Sequence, residues 1–237
     1  VAENGVSGTG KGMAYLYYGQ AGGYGTVASD GTRSVAASSA NATFTRSAAG
    51  ETMTGVTQLG DINNDGYADF MVAGQGASAN NGSAYVVFGG GAGVASVSAL
   101  DSVSAASNYF RISGASMAFG NNANTIASAG DVNGDGYQDL IVGAPNTTIL
   151  ALAGAGATFV VYGHAGTNYG AGNNLNFAPA FNGTAFESIA DTGGVAGHIF
   201  DAGSNTRGIA ISGGTAASRF GNTVTGLGDR NGDGYSD

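Results

Sequence analysis

"GDVNGDGYQD" at residues 130–139 is one of three copies of a ten-residue phrase; the others are "GDINNDGYAD" at 60–69 and "GDRNGDGYSD" at 228–237. The chain has 16 acidic and 7 basic residues over 237 positions, and each phrase holds three aspartates. More than half of the acidic side chains therefore follow one pattern, Asp-x-Asn-x-Asp-Gly-Tyr-x-Asp. This concentration predicts that the carboxylates of each phrase act together.

The spacing of the oxygen-bearing residues predicts a cation site in each phrase. Oxygens at every second position of a tight loop converge on one point, which suits a hard cation with about six to eight oxygen ligands. The glycine at the sixth position supplies a turn that a residue with a Cβ would resist. The ligand number and the carboxylate content favour Ca²⁺ over Mg²⁺, so we expect up to three Ca²⁺ sites. The predicted ligands are the Asp and Asn side chains and the tyrosine carbonyls: Asp61, Asn63, Asp65, Tyr67, Asp69, Asp131, Asn133, Asp135, Tyr137, Asp139, Asp229, Asn231, Asp233, Tyr235 and Asp237.

The phrase is not an EF-hand, although the two share their first six positions. An EF-hand loop needs a glutamate at position 12 and a helix on each side. Position 12 is Val72 in the first copy and Val142 in the second, and both valines lie in apolar segments. These segments predict strands after the loop.

Short strand signals recur around each phrase and predict an all-β fold. An apolar strand signal follows each of the first two phrases, and a second strand signal comes after the next glycine turn. A further strand signal precedes each phrase. The chain contains 45 glycines, and glycine favours the turns that would connect these strands. Four strands per unit is the composition of a propeller blade. We therefore predict a single β-propeller segment, a piece of a longer propeller, with a half blade at 1–20, blades at 41–90 and 108–164, an insertion loop at 165–205 and a half blade at 206–237.

The repeats resemble the FG-GAP repeats of integrin α-subunit propellers and of many bacterial surface proteins. The resemblance rests on Phe119-Gly120, the phrase at 131–139 and Gly143-Ala144-Pro145. It implies a propeller, typically of seven blades, in which such loops bind Ca²⁺ as a structural ion. The first copy departs from the pattern with Ala49 in place of Phe and with Ala73-Gly74-Gln75 in place of Gly-Ala-Pro.

The charge and the apolar segments exclude several classes of partner. A formal net charge of −9 argues against nucleic acid and against an anionic membrane surface, because both require a basic face. The segment 140–163 has no charged residue and is long enough to span a bilayer, but its proline, asparagine and glycines predict two strands around a turn. We expect no membrane insertion, and the absence of cysteine is compatible with a secreted or cell-surface protein stabilised by metal.

These features predict a calcium-binding extracellular adhesion or structural module whose partner is a protein or glycan on a surface, or copies of the chain itself. One alternative is an architectural subunit of a surface filament or sheath. The other is a propeller-based carbohydrate-active enzyme or phosphodiesterase. His198 lies near Asp191 and Asp201, but no nucleophile motif accompanies it and His164 has no metal-pair spacing, so we expect no enzyme activity.

Overall fold

The structure is a computed structural model that describes residues 2–3, 12–21, 25–29, 33–47, 52–75, 82–102, 104, 108–113, 125–148, 151–167, 169, 174–176 and 208–237. Within these residues the chain forms fourteen strands and one short 3-10 helix, Ala37–Ser39. The prediction of an all-β chain is confirmed. Glycine-rich turns and β-branched or aromatic runs account for this, because neither favours an α-helix.

The first sheet has three antiparallel strands. Its order is β1 (Ala2–Glu3), β2 (Met13–Leu16), β5 (Ala42–Thr45). A separate two-stranded ribbon, β3 (Thr26–Val27) and β4 (Arg33–Ser34), lies between β2 and β5 in the sequence.

The second sheet is built from the segments that flank the first acidic phrase. Four of its strands pair antiparallel in chain order, and a fifth, β13, pairs parallel with β9 at the edge. The strands are β6 (Thr52–Gly60), β7 (Asp69–Gln75), β8 (Gly82–Val87), β9 (Tyr109–Ser113) and β13 (Asn174–Asn176). The segment 165–205 was predicted to be a loop, so β13 is a correction: three of its residues form a strand.

The third sheet repeats this arrangement around the second phrase. Its four antiparallel strands are β10 (Ile126–Gly130), β11 (Asp139–Ala144), β12 (Ala157–Val161) and β14 (Gly208–Ser212). The uncharged segment 140–163 therefore forms two strands, as predicted. No helix in the described part of the chain is long and apolar enough to cross a membrane.

The first strand of each predicted blade belongs to the preceding sheet, which differs from the predicted blade boundaries. β5 pairs with β2, β9 with β8, and β14 with β12. The predicted blades at 41–90 and 108–164 and the half blade at 206–237 therefore each begin one strand too early. The sequence pattern identifies these strands, but the neighbour of a strand is decided by the apolar face against which it packs.

The second and third sheets pack face to face through one apolar core. Alternate side chains of β7, β8 and β9 point into this core because successive side chains of a strand point to opposite faces. The buried residues from the two sheets include Met71, Val86, Phe110, Ile112, Leu140, Val142, Phe159 and Val161. The opposite face of the second sheet, with Val72, Tyr85 and Val87, packs against Ala14 and Phe44 of the first sheet. Tyr85, Val87 and Phe159 are thus core residues as predicted, whereas Tyr162 is only half-buried.

Candidate functional site

The three acidic phrases form three loops, acidic loop 1 (61–69), acidic loop 2 (131–139) and acidic loop 3 (229–237), numbered below as positions 1 to 9. Loop 1 joins β6 to β7 and loop 2 joins β10 to β11. Each of these loops follows a bulge in the strand pairing, at Gly60 and at Gly130. Because these glycines have φ of 81° and 79°, the chain turns out of the sheet at the same place in both repeats.

The aspartate at position 1 holds the loop in a tight turn. In loop 2 the Asp131 carboxylate accepts N–H bonds from Gly134 at 2.7 Å and Gly136 at 2.8 Å. In loop 1 Asp61 accepts the bond from Gly66 at 2.8 Å, and in loop 3 Asp229 accepts that from Gly234 at 2.9 Å. These backbone hydrogen bonds hold the pKa of Asp229 below its ordinary value.

Positions 3 and 5 form a second connection that is the same in all three loops. The asparagine amide donates to the aspartate carboxylate two residues later, with nitrogen–oxygen distances of 3.1, 2.9 and 3.0 Å in loops 1, 2 and 3. The same aspartate accepts the tyrosine N–H of position 7 at 2.9, 3.0 and 2.9 Å. The pairs are Asn63–Asp65, Asn133–Asp135 and Asn231–Asp233. Position 6 is a glycine with φ of 89°, 90° and 93° in the three loops, so the expected turn is present.

The aspartate at position 9 closes each loop by accepting the N–H bond of position 2. The Asp139 carboxylate accepts N–H bonds from Val132 and from Gly163, and Asp69 accepts the equivalent bonds from Ile62 and Gly89. Both carboxylates are almost fully buried, and this burial raises the pKa of each to about 6. Asp237 makes the corresponding bond to the Arg230 N–H at 2.8 Å but is exposed.

The loops offer oxygen ligands only. Within the described residues, no three or more histidine, cysteine, aspartate or glutamate side chains converge as they do around a bound metal ion, and this includes the three aspartates of each acidic loop. The structure places the predicted ligands of each copy in one loop, and there their carboxylates bind loop amides. A carboxylate oxygen that accepts one N–H bond keeps a second lone pair for a cation, whereas Oδ1 of Asp131 already accepts two N–H bonds, from Gly134 and Asp135. Carboxylate, amide and carbonyl oxygens are the donors that Ca²⁺ prefers, and this donor set fits that ion.

Consecutive loops are hydrogen-bonded to each other through the main chain. The N–H of Gln138 donates to the Asp61 carbonyl at 3.3 Å, and the N–H of Ser236 donates to the Asp131 carbonyl at 2.8 Å. In both cases position 8 of one loop binds position 1 of the loop before it. The side chains of Gln138 and Ser236 also lie so close to Gly60 and Gly130 that a Cβ at either glycine would collide with them. Each loop thus forms part of the contact between one repeat and the next.

A second contact between repeats joins two glycines. Phe220 pairs with Gly156 through an isolated parallel bridge, and the carbonyl of Gly221 lies directly against Gly143. A Cβ at Gly143 would lie closer to that carbonyl oxygen than real Cβ atoms come to any neighbour. Glycine at this position allows the backbone of the following repeat to lie against β11.

A comparison with family models matches residues 123–161 to the FG-GAP repeat. This part of the chain is therefore similar to an FG-GAP repeat. It contains β10, acidic loop 2, β11 and β12. Its Gly143 contacts Gly221 of the Phe220-Gly221 pair, so this contact joins the matched segment to the residues that follow it. Comparison with curated proteins gave no match to the chain.

Tyr169 is a residue of the site that the sequence pattern did not identify. It is buried, and its hydroxyl donates to the Ile62 carbonyl in acidic loop 1 at 3.0 Å. In the sequence it is one of five aromatic residues in the glycine-rich segment 165–205, and no pattern distinguishes it from the other four. His164 stacks on the Tyr169 ring at 4.2 Å, whereas His198 and Asp191 lie outside the described residues.

An apolar cleft of about 200 Å³ lies between the first and second sheets. In the described part of the chain it is lined by Ala14, Tyr15, Leu16, Phe44, Val56, Thr57, Gln58, Phe70 and Val72. None of these side chains is an acid, an imidazole or an amine. This cleft therefore has no pair of groups for general acid and base catalysis.

Proposed function

We propose that the chain is a segment of a calcium-stabilised β-propeller that serves as an adhesion or structural module of a secreted or surface-attached protein. The observation that carries the proposal is the threefold recurrence of one loop. Its oxygen-bearing side chains are the same in loops 1, 2 and 3, and so are the hydrogen bonds from position 6 to position 1, from position 3 to position 5 and from position 7 to position 5. A solvated acidic turn would have no reason to recur at equivalent points of consecutive repeats.

Electrostatics supports a bound cation in each loop. Three aspartates within nine residues repel one another, and burial disfavours the charged form of Asp69 in loop 1 and of Asp139 in loop 2. A divalent ion would offset both effects. Three such ions would change the formal charge from −9 to about −9 + 6 = −3, an ordinary value for a soluble domain.

The position of the loops supports a structural role for the ion. Loops 1 and 2 each receive a main-chain hydrogen bond from the following loop, so the order of a loop and the packing of neighbouring sheets depend on each other. Binding free energy at such a site adds to folding free energy. The proposed ligands are the oxygens at positions 1, 3, 5 and 9 with the tyrosine carbonyl at position 7.

The stacking of the sheets supports the propeller. The second and third sheets each have four antiparallel strands in the same order, and they share one apolar core. Repetition of this contact generates the radial arrangement of blades. The acidic surface is compatible with a protein or glycan ligand and unfavourable for nucleic acid.

A second candidate is an architectural subunit of a filament or sheath. It is favoured by β14, which pairs only with β12 among the described residues and exposes Ile209 and Ile211. An unpaired strand edge with apolar side chains can accept a strand from a neighbouring copy. Light scattering with and without Ca²⁺ separates the candidates, since a strictly monomeric particle contradicts the filament.

Thermal unfolding in Ca²⁺ and in chelator tests the proposed function. If one site is occupied at about 100 times its dissociation constant, binding adds about 2.7 kcal/mol to the free energy of unfolding. For a chain of this size that shift raises Tm by roughly 5–10 °C. Mg²⁺ at the same concentration is the control and should raise Tm less. Equal Tm values in Ca²⁺ and in chelator would refute the calcium proposal.

Screening of glycans and surface proteins tests the adhesive role. Binding without cleavage of a glycan supports the module, whereas release of shorter products would support the enzyme alternative. The same screen in chelator shows whether the bound ion is needed for ligand binding.

A further inference from the structure

Tyr169 is held tightly although it lies in a polar, glycine-rich segment. It is 3% exposed, and its ring stacks on Phe110 at a centroid distance of 4.2 Å and an interplanar angle of 7°. The ring of His164 stacks on it at 4.2 Å and 28°. The hydroxyl reaches the carbonyl of Ile62, which lies between Asp61 and Asn63 of acidic loop 1. These contacts fix both the ring and the direction of the hydroxyl.

Two consecutive amides next to Tyr169 bind two different acidic loops. The N–H of Gly163 donates to the Asp139 carboxylate of loop 2 at 2.8 Å. The N–H of His164 is shared between the Ile62 carbonyl of loop 1 and the Tyr169 hydroxyl, at 3.2 Å to each. One dipeptide therefore connects position 9 of loop 2 with position 2 of loop 1, and Tyr169 completes the connection.

The structure describes this connection for loops 1 and 2. Loop 2 receives the bond from the N–H of Ser236 to the Asp131 carbonyl, as loop 1 does from Gln138. In the part of the chain that the structure describes, however, no tyrosine hydroxyl binds the carbonyl of Val132, which is the position equivalent to Ile62.

We propose that Tyr169 is a positioning residue that couples cation binding at acidic loops 1 and 2. The inference rests on the proposed function, because it requires these loops to bind Ca²⁺. An ion at loop 2 holds the Asp139 carboxylate in one position. That carboxylate accepts the N–H bond of Gly163 and so orients Gly163 and His164. The His164 N–H and the Tyr169 hydroxyl both donate to the Ile62 carbonyl, which lies between two proposed ligands of loop 1. Each ion then binds a loop that the other has already ordered, and thermodynamic linkage makes the effect equal in both directions.

Calcium titration by calorimetry measures the coupling. Four variants are compared, and in all four Asp229→Asn with Asp233→Asn disables loop 3. In two of the four, Asp131→Asn with Asp135→Asn also disables loop 2. The dissociation constant of loop 1 is then compared with loop 2 intact and disabled, with Tyr169 present and with Tyr169→Phe. We expect disabling loop 2 to raise the constant about fivefold with tyrosine present, and only about twofold with Tyr169→Phe. The remaining effect comes from the main-chain bonds.

Tyr109→Phe is the matched control. Tyr109 is also a buried tyrosine, and its hydroxyl binds the carbonyls of Ala99 and Ser102, away from the acidic loops. It should leave the fivefold effect unchanged. Unfolding of both variants in chelator separates stability from coupling: if Tyr169→Phe lowers stability but leaves the coupling at fivefold, Tyr169 is only structural and the proposal is overturned.

Proteins that keep Tyr169 give a second test, which does not depend on whether a variant at position 169 folds. Linkage requires that disabling loop 1 weaken loop 2 by the same factor as the reverse. Independent binding at the two loops would overturn the coupling. If the chain with all three loops intact binds no Ca²⁺, the proposed function itself fails, so the two failures are distinguishable.

Discussion

Replacement of Gly143 by alanine tests the contact between the FG-GAP repeat and the segment that follows it. The new Cβ would collide with the carbonyl oxygen of Gly221, which is main chain and cannot rotate away. Overpacking of this kind costs about 1–3 kcal/mol. The substitution also restricts the unfolded chain, which adds back roughly 0.4–1 kcal/mol, so the collision is the larger effect. We expect a net loss of about 1–2 kcal/mol and a Tm lower by roughly 2–8 °C.

The matched control for this prediction is Gly19→Ala. Gly19 is exposed and no atom lies within 4 Å of the position that its Cβ would take. Only the restriction of the unfolded chain acts there, so Tm should stay the same or rise slightly. Urea denaturation and differential scanning calorimetry measure both variants. If Gly143→Ala is as stable as Gly19→Ala, the two glycines are not in contact and the junction is incorrectly described.

Three further predictions concern the acidic loops. Asp139→Asn should remove most of the Ca²⁺-dependent rise in Tm that loop 2 contributes. Asp101→Asn, which lies outside the loops, should leave that rise unchanged. Thermal scans with and without Ca²⁺ measure both variants. In metal-free protein the free energy of unfolding should increase as pH falls from 7 to 5. Burial raises the folded-state pKa of Asp69 and Asp139 to about 6, so protons bind the folded state more tightly than the unfolded state. A decrease in the free energy of unfolding over this range would contradict the burial argument. Gly60→Val should lower Tm by roughly 2–12 °C, since the new side chain meets Gln138 and φ is 81°.

The sequence was sufficient to predict the strands and the loop chemistry because both depend on local spacing. Short apolar runs with β-branched or aromatic residues between glycine turns predicted β7, β8, β11 and β12, and aspartates at fixed intervals predicted the three loops. The turn glycine of each loop was predictable for the same reason, since only a residue without a Cβ adopts its φ without strain.

The pairing of strands and the role of Tyr169 could not be predicted in this way. β9 carries a strand pattern, but whether it joins β8 or the following repeat depends on how Phe110 and Ile112 pack against the third sheet. Tyr169 binds a carbonyl 107 positions earlier in the chain, and no local pattern encodes such a contact. β13 was missed because its three residues are stabilised by pairing with β9 rather than by their own propensity.

The number of Ca²⁺ ions bound per chain tests the central proposal most directly. Equilibrium dialysis against about 2 mM Ca²⁺, above the range expected for extracellular modules, is followed by elemental analysis of the protein. If each acidic loop binds one ion, the protein should retain three Ca²⁺ ions per chain, and two after Asp131→Asn with Asp135→Asn. A chain that retains less than one ion under these conditions, or one whose count is unchanged by the substitutions, would contradict the assignment of the acidic loops as calcium sites.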